Sequence, residues 1–157
     1  MPVYNEARDI EKTINSVLNQ TYIKFKLIIS DNHSTDGTRE IIKLAKESDP
    51  RIRLVSPPAH CTSSEHGEFL NNSILINEND NKYTIFIGGH DTWENNLLEV
   101  LLHRAESEIN AGIIYTDSSE IDEEDNLIRR YSGIVQVQEI NRAFSPHHVL
   151  LGLTHNI

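Results

Sequence analysis

The chain has 157 residues, 38% hydrophobic and 24% charged, which is enough apolar material for one globular domain with a core of its own. A formal net charge of -10 argues against nucleic acid as a partner, and no run of Lys and Arg offsets it. No apolar run approaches the length of a bilayer span, the start carries no signal-peptide pattern, and the single cysteine, Cys61, excludes an internal disulfide framework and suits a reducing cytoplasm.

Both ends read as cut: residues 1–4 are loop-like with no strand ahead of them, and residues 150–157 stop in apolar sequence. Asn5 reads as a helix N-cap, with Glu6 and Asp9 in the favourable first turn and Ile10, Ile14, Val17 and Leu18 at helical spacing, which predicts a helix over 6–20. Residues 25–30 read as a buried strand. After the Asp36-Gly37 turn, Ile41, Ile42, Leu44 and Ala45 mark a second amphipathic helix that stops near Asp49-Pro50. Residues 51–55 alternate with period two and form the next strand, and residues 57–65 read as loop. A helix over 67–77 follows, with Phe69, Leu70, Ile74 and Leu75 facing inward. Then come a strand over 83–87, a helix marked by Leu98, Leu101, Leu102, Ala105 and Ile109, and a strand over 112–116. An acidic stretch over 117–125 precedes an extended segment over 127–137, and the last twenty residues have no clear pattern. Strands alternating with helices imply βαβ crossovers and a mainly parallel sheet covered on both faces, a Rossmann-like three-layer α/β/α domain spanning 1–157 with its first strand missing.

Three segments at strand ends hold the polar residues a ligand crevice needs. Asp31 follows directly on its strand, where a carboxylate can accept hydrogen bonds from a base or a sugar; Asp31, Ser34 and Asp36 equally serve as turn formers and caps. Tyr4, Asn5 and Glu6 offer an aromatic face and polar groups, and they also fit an ordinary loop-to-helix junction. In Gly88-Gly89-His90-Asp91 the glycines let backbone approach a ligand, and His90 and Asp91 are competent ligands for a divalent ion; Asp91-Thr92-Trp93-Glu94 also fits a capping box for the helix that follows. His60, Cys61 and His66 match no standard zinc spacing, and His147, His148 and His155 are no stronger. Asp117 sits at a strand end and could face the crevice, while its acidic neighbours read as a solvated turn. No glycine-rich dinucleotide or Walker loop is present.

Taken in order, these segments resemble the family 2 glycosyltransferases of the GT-A fold over roughly the first 130 residues. Pro2-Val3-Tyr4-Asn5-Glu6 is similar to the family's opening P-x-Y-N-E loop, and residues 14–22 to its S-[VIL]-x-x-Q-[TS]-Y stretch. Residues 27–38 resemble its strand followed by D-[DN]-x-S-x-D-G-T, residues 87–93 occupy the place of its metal motif, and residues 112–126 are similar to its strand, aspartate and turn. The resemblance implies that Tyr4 and Asp31 hold a nucleobase, usually uracil, with Pro2, Asn5, Glu6 and Asn32 shaping the pocket. It also implies that His90 and Asp91 sit at a divalent ion, Mn2+ or Mg2+, and at the donor pyrophosphate. The implied reaction is metal-assisted, inverting transfer of a sugar from a nucleotide diphosphate, a UDP-sugar, to a hydroxyl of a glycan, lipid-linked or other acceptor, in polysaccharide biosynthesis in the cytoplasm or peripherally at the membrane's inner face. Two departures stand out. The family pattern D-x-D-D is here Gly88-Gly89-His90-Asp91, and no equivalent of the downstream catalytic base is present, so the catalytic residue is unassigned and the acceptor-side half is largely missing. The alternatives are a binding-only domain of the same fold and a nucleotidyltransferase of related fold, whose glycine-rich basic first loop residues 2–8 lack.

Overall fold

The computed structural model describes residues 1–77, 83–108, 113–122, 124, 126–131 and 149–152. They divide into two compact units, residues 1–80 with 87–100 and residues 81–86 with 101–157.

In the first unit, β1 (Pro2–Val3), β2 (Leu27–Asp31) and β3 (Ile52–Val55) form a parallel sheet in that order, with Val3 opposite Asp31 and Ser30 opposite Val55. The first strand, expected to be missing, is therefore represented by Pro2 and Val3. Two residues are too short to show any alternation, and what makes them a strand is pairing across the chain: the Ser30 amide donates to the Met1 carbonyl and the Asn32 amide to the Val3 carbonyl.

All five residues of β2 are buried, so the sheet is covered on both faces. Successive side chains of a strand point to opposite faces. Ser30 meets His66 of α3 (Ser63–Asn77), and Asp31 meets Arg39 of α2 (Thr38–Ser48). Helix α1 (Ile10–Leu18) packs beside α2 and buries Ile10, Thr13, Ile14 and Val17, the helical stripe the sequence shows. It begins at Ile10 rather than Glu6, because residues 5–7 give their amides to another loop. Helix α2 ends before Pro50, which has no amide to continue the ladder. Asp49 then grips Arg51 at 2.7 Å, and Arg51 donates to the Leu18 carbonyl and lies over the Phe25 ring, tying the end of α1 to the start of β3.

Helix α3 starts four residues before its expected position. Thr62 and Glu65 form a reciprocal capping box, the Thr62 amide donating to Glu65 Oε2 at 2.8 Å and the Glu65 amide donating back to Thr62 Oγ1. Of its expected inward residues Leu70 is fully buried, whereas the side chains of Ile74 and Leu75 lie outside the described residues.

The second unit contains a parallel sheet of β4 (Tyr83–Ile85), β5 (Ile113–Tyr115) and β8 (Val149–Gly152), with β8 in the middle. An antiparallel hairpin, β6 (Ser118–Ile121) and β7 (Leu127–Tyr131), takes up part of the acidic stretch expected to be a turn. Asp122 closes it by accepting the amides of Glu124 and Asn126. The expected extension of β7 to 137 lies outside the described residues.

Helix α4 spans Leu97–Ser107. Its start is set by a residue far away in sequence. Gln20, 3% exposed, donates to the Ser16 and Glu94 carbonyls and accepts the Leu98 amide, while the Trp93 amide donates to Ser16 Oγ. Replacing Gln20 by Leu removes all three of these part-buried hydrogen bonds, each worth about 1 kcal/mol. Gln20→Leu is expected to lower the urea midpoint of unfolding by an amount worth about 2 kcal/mol or more; an unchanged midpoint contradicts this role.

Candidate functional site

The first unit brings the three polar segments together around the ends of β1 and β2. Asp31 closes β2 with a side chain that has no exposed surface. Its Oδ1 accepts the Ser34 amide at 3.0 Å and its Oδ2 accepts Arg39 Nη1 at 2.7 Å. Burial alone would raise its pKa, but these hydrogen bonds outweigh it and hold the carboxylate below its ordinary range. Arg39 is itself steadied by Ser56 Oγ at the end of β3.

The turn over 34–38 then receives the loop that leaves β1. The Asn5 amide donates to Ser34 Oγ, Asn5 Oδ1 accepts the Thr35 amide, the Glu6 amide donates to Thr38 Oγ1, and the Ala7 amide donates to Asp36 Oδ2. Asn5 adopts a left-handed conformation, φ 55°, which its short polar side chain tolerates. Asn5 is thus a cross-loop tie and not the N-cap expected from sequence. Hydrogen bonds from Thr38 and Ala7 hold the Asp36 carboxyl below its ordinary pKa.

Asn32 ties in a further loop. Its Nδ2 donates to the Cys61 carbonyl, its Oδ1 accepts the Cys61 amide, and His60 Nδ1 donates to its backbone carbonyl. This places the His60 ring 4.7 Å from the half-exposed Tyr4 ring, centroid to centroid, at a tilt of 44°. Sequence reading placed His60 in a plain loop. Only the long-range pairing of Asn32 with Cys61 reveals it beside Tyr4, and no local pattern signals that. His60, Cys61 and His66 do not converge as ligands: His66 is buried against Ser30 Oγ at 2.7 Å, and burial lowers its pKa.

The segment after β4 completes the group. The Gly88 amide donates to Asp91 Oδ2 at 3.0 Å, so Asp91 braces its own turn and does not cap α4, which begins at Leu97. Gly89 is packed so closely that a Cβ there would lie 2.8 Å from Glu6 Cγ and 2.9 Å from Val3 Cγ1, and its carbonyl accepts the buried Thr13 hydroxyl. That contact brings His90 Nδ1 within 3.2 Å of Glu6 Oε1. Pro2, Tyr4, Asn5, Glu6, Asp31, Asn32, His90 and Asp91 are therefore assembled in one unit, whereas Asp117 is an exposed residue of the other unit.

Among the described residues no group of three or more His, Cys, Asp or Glu side chains could hold a metal ion. His90 and Asp91 offer one imidazole and one carboxylate. Such a pair fits a divalent ion only where a bound substrate and water supply the remaining oxygens, as phosphates do in many Mg2+ sites.

The chain matches the model of Glycosyl transferase family 2 over residues 1–154 and belongs to that family. It is 32% identical over 98 residues to the putative teichuronic acid biosynthesis glycosyltransferase TuaG of Bacillus subtilis (strain 168), a match covering 62% of this chain and 37% of that protein. It is 31% identical over 100 residues to the UDP-Glc:alpha-D-GlcNAc-diphosphoundecaprenol beta-1,3-glucosyltransferase WfgD of Escherichia coli, covering 64% and 37% respectively. The chain thus spans little more than a third of the length of these relatives. Residues 1–349 of S. aureus TarS, solved in complex with UDP, superpose with a TM-score of 0.62 at 14% identity, covering 82% of this chain and 36% of that one. At that identity the likeness carries the fold, GT-A, in agreement with the α/β architecture expected from sequence.

Asp31 makes the site's stability depend on pH. Its pKa is depressed in the folded state, so its contribution is present above the unfolded value and is lost as the pH falls through the folded one. Asp31→Asn is expected to be less stable than the wild type at neutral pH, with the gap closing below the ordinary carboxylate range. A gap that stays constant across pH in thermal melts contradicts this assignment.

Proposed function

We propose that this family 2 chain forms the donor-binding part of a glycosyltransferase that takes a sugar from a nucleotide diphosphate, UDP in the first instance, and passes it to an acceptor hydroxyl with inversion. The observation that carries the reading is the convergence, on the ends of β1 and β2, of an aromatic face at Tyr4, the buried Asp31 group and the Gly88-Gly89-His90-Asp91 turn. Ligands of open α/β sheets bind in this position, outside the carboxyl ends of the strands. Residues 1–349 of S. aureus TarS have been solved in complex with UDP and with UDP-GlcNAc, which supports the choice of donor.

Each residue has a part that follows from its surroundings. Tyr4, half exposed and backed by His60, offers the base a stacking face. Asp31, closed off by Ser34 and Arg39, forms the floor of the base pocket and fixes the turn beside it, and Asn32 fixes the loop that carries His60. Pro2, Asn5 and Glu6 shape the rim through their hydrogen bonds and packing. His90 and Asp91 face the diphosphate and would hold a divalent ion, which when bound neutralises charge on the departing diphosphate. In the transfer, the acceptor oxygen forms a bond to the anomeric carbon, its proton passes to a carboxylate base, and the bond from that carbon to the diphosphate oxygen breaks.

The acceptor in this reading is a glycan or lipid-linked hydroxyl of a surface polysaccharide, in line with the names of TuaG and WfgD. Among the described residues no helix is long and apolar enough to cross a membrane. A binding-only role is the second reading, favoured by the absence of a side chain at Gly88.

UDP is expected to raise the thermal midpoint of the chain, and Tyr4→Ala to weaken that binding about tenfold, in the range of 1–3 kcal/mol for one base on one aromatic face. Absence of stabilisation by UDP or any UDP-sugar contradicts the proposal. Tight binding with no transfer to any acceptor favours the second reading.

A further inference from the structure

We propose that the groove between α2 and the open edge of β3 is a docking site for an extended acidic segment of a partner protein, which adds to the sheet as a further strand beside β3. The inference goes beyond the donor-binding reading and does not depend on it.

The groove has a volume of about 590 Å3, and Leu54, Val55 and Ser56 all border it. Successive side chains of a strand point to opposite faces, so a space touched by three residues in a row lies along the strand's edge and not over one face. That edge is open: the sheet runs β1-β2-β3, and among the described residues no strand lies beyond β3. The Leu27 amide donates to the Arg51 carbonyl, and the two strands run parallel with Leu27 opposite Ile52. Bonding groups alternate from side to side along a strand, so Arg53 and Val55 also turn toward β2, whereas Leu54 turns its N–H and C=O outward. A backbone donor and acceptor presented in this way are what strand addition uses.

The opposite wall sets the sign of the charge. Arg39, Lys43, Lys46 and Glu47 of α2 border the same groove, and their i, i+4, i+7, i+8 spacing puts them on one helical face. Three cations against one acid is the reverse of the balance in the whole chain, whose net charge is -10. Lys43 and Lys46 are exposed, and neither is in an ion pair among the described residues. Arg39 Nη1 serves both Asp31 Oδ2 and Ser56 Oγ, which leaves the N–H groups on Nε and Nη2 outside those bonds.

Size and spacing then select the occupant. A space of about 590 Å3 exceeds what a lone phosphate or carboxylate fills, and its strand-edge wall suits a chain of several residues. Arg39 and Lys43 lie about 6 Å apart along the helix axis, close to the roughly 7 Å between side chains on one face of a strand. An added strand with acidic residues at alternate positions therefore meets the cationic wall in step while its backbone pairs with Leu54. Lysines beside an open edge guard it against indiscriminate pairing, because a basic strand is repelled and an apolar one buries their charge; acidic side chains turn the guard into an attraction.

Amide 1H–15N spectra of the whole chain, titrated with a hexapeptide of alternating Glu and Val, its Lys-Val counterpart and a Glu-Val peptide with N-methylated backbone amides, test this directly. The Glu-Val peptide is expected to shift the amides of Leu54 and Ser56 together with those of Lys43 and Lys46, saturably, at concentrations where the Lys-Val peptide shifts none of them. Lys43→Glu combined with Lys46→Glu should weaken that binding at least about tenfold while leaving the thermal midpoint unchanged, since both side chains are exposed. N-methylation should weaken it by about tenfold or more with the protein itself untouched. Equal binding of the two peptide charges, undiminished binding of the N-methylated peptide, or no binding of the Glu-Val peptide overturns the inference. Shifts at Lys43 and Lys46 caused by inorganic phosphate or by phosphatidylglycerol vesicles, and not by the peptide, also overturn it and assign the groove to phosphate groups. None of these outcomes bears on UDP binding.

Discussion

A carboxylate with no exposed surface at the end of a fully buried strand has to be compensated within the fold, and Asp31 is in that position. Its two oxygens draw the Ser34 amide and the Arg39 guanidinium toward the end of β2. The first fixes the turn over 34–38, and the second fixes the first turn of α2 and reaches on to Ser56 beyond β3. Once that turn is set, its hydroxyls, amides and the Asp36 carboxylate are presented to the loop leaving β1, which docks onto them through residues 5–7. The side chains at Tyr4 and Glu6 are placed as a consequence.

From that platform the remaining pieces attach by short tertiary contacts. Asn32, next to Asp31, pins the Cys61 backbone and so sets His60 against Tyr4. Val3 and Glu6 leave room only for glycine at position 89, and the glycine carries His90 to Glu6. The site is thus a chain of dependences from one buried charge outward, with Tyr4 and His90 among its exposed members.

The helices, β2, β3 and the parallel arrangement were legible because each is written in a local period: Ile10, Ile14 and Val17 for α1, and the apolar run ending at Asp31 for β2. The start of α3 was missed although Thr62 and Glu65 have capping-box spacing, because the prolines upstream point to a loop. What could not be read locally are the features made by distant partners. Pro2 and Val3 are a strand only because β2 lies beside them. Asn5 has the residue type of a cap, yet Thr35 and Ser34 offer its side chain and amide better partners than the following helix. Asp91 and Glu94 have capping-box spacing too, but Asp91 binds the Gly88 amide, and Gln20, more than seventy residues earlier, receives the amide of Leu98. The family resemblance supplied the identity of the site's members; their mutual hydrogen bonds, above all Glu6 with His90 and Asn32 with Cys61, required the fold.

In the proposed site one nucleotide diphosphate engages the Tyr4, Asp31 and Gly88 segments together. Amide 1H–15N spectra of the chain titrated with UDP and Mn2+'s diamagnetic substitute Zn2+ test it most directly. Shift changes concentrated at residues 4–7, 31–38, 60–61 and 88–91, saturating with a single affinity, are the predicted result. Changes confined to residues outside these segments, or no change at saturating UDP, would contradict the account.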